Sequence, residues 1–151
     1  MNPKLAKIVA VLWLLWSLLH IFPGLFAMYY ALSGDISTIG FLFPETRPSQ
    51  LAADYALEVK AILVTFGQHG FNLLWFGLVA LAGSVQIWLR PNRTTITVCA
   101  VVIGLADLGA IFATILVGRI DVTGVLIFSG TAVGLTLSYV LLRSEKHNMI
   151  K

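Results

Sequence analysis

The sequence predicts an all-α polytopic membrane protein, an antiparallel bundle of four transmembrane helices forming one membrane domain over residues 1–151. Three observations carry that prediction. Hydrophobic residues make up 58% of the chain, charged residues only 11%, and the mean hydropathy is +0.91, whereas soluble domains carry about 25% charge. Four stretches each supply the roughly 20 mostly apolar residues that a membrane crossing needs. The cations then fall mainly on one side of the resulting zigzag.

The first span covers residues 8–33, just after Lys4 and Lys7. Ala31-Leu32-Ser33 resembles a signal-peptide cleavage site, but the apolar run is too long for an h-region, so a retained span is expected. Pro23 removes the hydrogen bond to the carbonyl of Leu19, which predicts a kink beside His20. Residues 34–48 form the one real loop, and its segment Phe41-Leu42-Phe43-Pro44 is expected to cap the bundle.

The second span, with an outer extension, covers residues 49–89, with Ser49 placed to cap the helix. At 1.5 Å per residue it measures about 60 Å, about twice the hydrocarbon thickness. The part bearing Asp54, Glu58 and Lys60 is therefore expected to project outward or bend near Gly67 and Gly70. After the polar turn Arg90-Pro91-Asn92-Arg93, the third span covers 95–117. Gly118 to Asp121 make a second turn, the fourth span covers 122–142, and residues 143–151 form a tail. Links this short make the last three spans antiparallel neighbours.

Lys and Arg near span ends set orientation. Lys4, Lys7, Arg90, Arg93, Arg143, Lys146 and Lys151 lie on one side, and Arg47, Lys60 and Arg119 on the other. Seven against three places both termini in the cytoplasm of a plasma membrane, the inner membrane in a bacterium. The outer side also carries Asp35, Glu45, Asp54, Glu58 and Asp121, so three bases against five acids leave it at −2. Topology thus accounts for the isoelectric point near 9.2 without nucleic acid as a partner. Cys99 is the only cysteine, which excludes an internal disulfide. In its apolar run it reads as a small buried hydrophobe.

Helices in lipid associate through small and weakly polar faces. The predicted inner faces are Trp13, Ser17, His20, Gly24, Ala27 and Ala31 on the first span, and Thr65, His69, Asn72, Phe76, Ala80 and Gly83 on the second. On the third they are Thr97, Ala100, Gly104, Asp107, Ile111 and Thr114. Gly130, Gly134 and Ser138 form the helix-packing stripe of the fourth. Counted from the charged inner ends at 1.5 Å per residue, His20, Asp107 and Ser129 all lie about 20 Å deep, and Asn72 and His69 about 27 and 31 Å.

Asp107 is the only acid inside a span. An ionisable group there costs roughly 3 kcal/mol and needs a partner, and His20 at the same level is the expected one. His20, Asp107, Asn72, His69, Trp75 and Trp13 together describe an apolar cavity with a few convergent polar groups, the make-up of a small-molecule site. Trp88, beside Arg90, reads instead as an interfacial belt residue.

Haem held between His20 and His69 is disfavoured because the two lie about 11 Å apart in depth. A metal on His20, His69 and Asp107 has suitable ligand types but no tight spacing. No nucleophile stands out beside His20 and Asp107, there is no Cys-x-x-Cys pair, and there is no glycine-rich phosphate loop. The expectation is a non-enzymatic protein that binds or passes a small apolar or amphipathic ligand, a proton or a solute at a mid-membrane polar site. Its expected partners are membrane lipids, a lipophilic small molecule and possible homo- or hetero-oligomeric contacts. The second reading is an accessory or assembly subunit of a larger membrane complex. In outline the chain is similar to small four-span bacterial membrane proteins, a likeness of architecture that assigns no activity.

Overall fold

A computed structural model describes residues 1–34, 56–117 and 122–148. Among them the chain is helical, in four elements: α1 (Pro3–Ser33), α2 (Ala56–Leu89), α3 (Arg93–Val117) and α4 (Val122–Asn148). The expected Ser49 cap, the Phe41–Pro44 segment and the turn at 118–121 lie outside the described residues. Two helical stretches among the described residues, Pro3–Ser33 and Leu57–Leu89, are long and apolar enough to cross a membrane.

Local chemistry sets the helix ends. Asn2 caps α1, its Oδ1 accepting from the backbone N–H of Lys4 at 3.0 Å and of Leu5 at 3.3 Å. Pro3 follows at the first helical position, where its missing N–H costs nothing. Gly34 closes α1 at φ 70°, a left-handed conformation open to glycine. Pro91 separates α2 from α3, and Asn92 caps α3 by accepting from the Thr95 N–H at 2.9 Å. Within α1 the helix continues through Pro23. Likewise α2 runs unbroken past Gly67 and Gly70.

The chain divides into two compact units, Met1–Leu19 with Phe76–Lys151, and His20–Trp75. In the first unit the core is Val9, Trp13, Ile87, Ile96, Cys99, Ile103 and Leu141, all but sealed from solvent. Cys99 presses its Sγ onto the space over Gly83, which gives the lone thiol a packing role. Gly104 lies against the Leu135 side chain, joining α3 to α4.

The second unit is a close helix pair. A Cβ added at Gly24 would lie 2.7 Å from both the Gly70 carbonyl oxygen and the Leu74 nitrogen. One added at Gly70 would lie 2.7 Å from the Ala27 Cβ, and one at Gly67 would lie 2.8 Å from the Ala31 Cβ. The glycines of α2 therefore serve close approach to α1. Small residues let two backbones meet in this way.

The burial pattern tests the expected inner faces one by one. On α1, Trp13, Ser17, His20, Gly24 and Ala27 are all buried. On α2 in the second unit the buried or half-buried glycines 67 and 70 take the seam, while Thr65 and His69 are exposed. On α3 the buried face is Ile96, Cys99, Ile103 and Asp107, one position round from the small-residue face at its start. Branched and thiol side chains, not Thr97 and Ala100, make that contact.

Candidate functional site

Asp107 is 4% exposed and sits in the first unit. Its carboxylate oxygen Oδ2 accepts a hydrogen bond from the Trp16 indole Nε1 at 3.1 Å. The same oxygen accepts from the Thr131 hydroxyl. Trp16 and Thr131 are themselves buried. One acid on α3 is therefore held by one donor from α1 and one from α4. A buried carboxyl group is costly until donors replace its water, and each such hydrogen bond contributes about 0.5–1.5 kcal/mol net.

Helical spacing explains why these residues face Asp107. On α4, Thr131, Gly134, Ser138 and Leu141 are all buried, a 3-4-3 series that keeps one face. Ser129 stands two residues, about 200°, away from Thr131 on the helix. It is exposed and its hydroxyl donates to the Val125 carbonyl of its own helix at 2.7 Å. The expected α4 contributor at this level is thus replaced by Thr131. Trp16 is three residues from Trp13 and on the same side of α1, and both are buried.

Beside this hydrogen-bonded group lies a pocket of about 290 Å³, lined by Leu12, Trp13, Leu15, Trp16, Leu19, Gly130 and Thr131. Its mouth is on an apolar outer face, since Leu15 and Leu19 are exposed. Gly130 keeps it open, because a Cβ there would meet nothing within 4 Å. Gly134, one turn on, is filled: the six-membered ring of Trp13 would come within 2.7 Å of a Cβ at that position. Trp13 is 1% exposed, and its indole Nε1 and the Ser138 hydroxyl are buried without a hydrogen-bond partner among the described residues.

The six residues expected to form the ligand site fall in both units. Trp13 and Asp107 belong to the first, and His20, His69, Asn72 and Trp75 to the second. Within the second unit His20 is 9% exposed. Asn72 is half-buried, and His69 and Trp75 are exposed. Among the described residues no group of three or more His, Cys, Asp and Glu side chains is placed to hold a metal ion.

The residues that sequence reasoning passed over are Trp16 and Thr131. Trp16 was masked by its neighbours in an aromatic-rich stretch that also suits a belt. The signal for Thr131 is its 3-4 spacing to Gly134 and Ser138, which a strict four-residue stripe from Gly130 misses.

Compared with protein-family models, with curated proteins and with solved structures, the chain matches none of them.

Proposed function

We propose that this chain is a four-span membrane protein with cytoplasmic termini, and that it binds a small apolar or amphipathic molecule in the pocket between α1 and α4 beside Asp107. The observation that carries this reading is the pairing of a buried, doubly hydrogen-bonded acid with an apolar pocket open at the side. Ligand sites are mostly apolar with a few placed polar groups. Here Trp13, Trp16 and the leucines supply the apolar walls, and the Thr131 hydroxyl supplies the polar point. The volume suits a ring system or a short length of acyl or isoprenoid chain.

The membrane part of the reading draws on the exterior. Leu15, Leu19, Phe22, Phe26, Leu105, Leu108 and Phe112 are all exposed on the helices. So many exposed large apolar side chains suit a hydrocarbon solvent better than water. In α3 and α4 the seven-against-three distribution of cations extends the same reading to four spans. An assembly subunit docking through the α4 stripe fits less well, since Gly134 and Ser138 are buried within this chain.

Gly130→Leu is the direct test, because it fills the pocket without touching Asp107. Native mass spectrometry of the protein released from gently solubilised membranes is expected to show a co-purifying small molecule that Gly130→Leu loses. If neither form carries any such mass, the ligand reading is wrong. Resistance of the protein to alkaline carbonate extraction checks the membrane reading separately.

A further inference from the structure

A groove in the first unit lies away from Asp107, where the start of α1 meets the later turns of α4. It measures about 960 Å³ and is lined by Met1, Asn2, Pro3, Tyr139, Val140, Arg143 and Ser144. We infer that this groove binds the phosphate headgroup of an anionic phospholipid. The inference rests on the membrane reading above.

Three features point to that occupant. The groove holds a cation: Arg143 is exposed, with its guanidinium carbon 5.4 Å from the centre of the Tyr139 ring. A guanidinium is a planar, permanently charged fork that matches phosphate oxygens, and stacking over an aromatic face fixes it in place. Second, the end of the chain's zigzag that carries the groove is strongly basic. Among the described residues, Lys4, Lys7, Arg90, Arg93 and Arg143 fall at that end, five bases. Basic recesses between helices at the cytoplasmic face suit anionic headgroups. Third, the walls grade from polar to apolar, with Asn2 and Arg143 beside Pro3 and Val140. A headgroup with its glycerol needs that gradient, and a free phosphate does not.

The backbone leaves recognition to side chains. At the start of α1 the Asn2 Oδ1 already engages the amides of Lys4 and Leu5, and the Ser144 hydroxyl donates to the Leu141 carbonyl at 2.8 Å. Arg143 is therefore the principal phosphate ligand, with the Asn2 amide group as a second donor.

The test is native mass spectrometry of the detergent-purified protein titrated with dioleoyl phosphatidylglycerol and dioleoyl phosphatidylcholine. Phosphatidylglycerol adducts are expected to exceed phosphatidylcholine adducts about fivefold, the increment typical of one interfacial cation. Arg143→Gln is expected to abolish that preference, and Arg90→Gln to leave most of it. Asn2→Asp keeps a good helix cap while placing an acid in the groove, and it too is expected to remove the preference. Equal adducts of the two lipids overturn the headgroup site, and so does an equal loss from Arg143→Gln and Arg90→Gln, which would reduce the effect to diffuse charge. Extraction of the protein by alkaline carbonate breaks the membrane reading beneath it, whatever the adduct ratio.

Discussion

The two units use small residues to opposite ends. In the His20–Trp75 unit, Gly24 and Gly70 are spent on contact, and a single methyl at Gly24 would run into the backbone of α2. In the first unit, Gly134 is likewise filled by Trp13, but Gly130 is left open beside Thr131 and the pocket. One region gains tight packing where Gly24 meets Gly70, and its open space of about 440 Å³ lies at Gly67 and Lys60, with no buried acid in its lining. The other gives up packing at one turn and keeps a space next to the hydrogen-bonded group around the buried Asp107. A glycine in a membrane helix is therefore ambiguous until its neighbour is known: it marks a seam or a vacancy.

Substitutions that treat the two kinds of glycine alike sharpen this contrast best. Gly24→Leu is expected to have the largest effect, at least about 3 kcal/mol of destabilisation, because backbone atoms cannot yield as a side chain can. Thermal unfolding in detergent, followed by circular dichroism, is the measurement. Gly130→Ala is its counterpart and is expected to be neutral, or stabilising by up to about 1 kcal/mol through helix propensity. Comparable losses from Gly130→Ala and Gly24→Ala would erase the distinction between seam and vacancy.

The next effect in size concerns the polar centre of the first unit. Asp107→Leu strands the Trp16 and Thr131 donors and is expected to cost about 2 kcal/mol. Asp107→Asn keeps an acceptor oxygen for both and is expected to cost under about 1 kcal/mol. Should the two variants prove equally damaging, the negative charge itself and not the pair of hydrogen bonds would be what the fold requires. Thr131→Val removes one bond while keeping shape, with an expected cost of about 1 kcal/mol, the usual range for a single interhelical hydrogen bond in a membrane protein. Double-mutant analysis with Asp107→Asn checks that the loss runs through the acid.

Ser138→Ala is the smallest. Its hydroxyl is buried without a hydrogen-bond partner among the described residues, so deleting it removes a desolvated polar group and is expected to leave stability unchanged or raised by up to about 1 kcal/mol. A loss larger than about 1 kcal/mol would mean that the hydroxyl has a partner, such as bound water.

Legibility in the sequence varied by helix for a physical reason. On α1 the buried side coincides with polar and small residues at three- and four-residue spacing, from Trp13 to Ala27, so composition and periodicity agree. On α3 the contact face is built from Ile96, Cys99 and Ile103. In a helix apolar all round, isoleucines toward the bundle look the same as isoleucines toward lipid, and the periodic signal vanishes. Counting along α4 in steps of four drifts about 40° per turn, enough to choose Gly130 over Thr131, while depth counted from Arg143 alone leads to Ser129.

By itself the sequence determined the helical class and the need of Asp107 for hydrogen-bonding partners. Those depend on local chemistry: apolar runs of sufficient length and the expense of an acid among apolar residues. Only the tertiary structure decided which donors meet Asp107, which glycines are filled, and where space remains. Hydrogen bonds from Trp16 and Thr131 join residues 91 and 24 positions away from Asp107, and no local rule fixes the rotation of one helix against another. That rotation is set by the sum of many close contacts, such as Trp13 over Gly134 and Cys99 over Gly83, each of which exists only once the helices have packed.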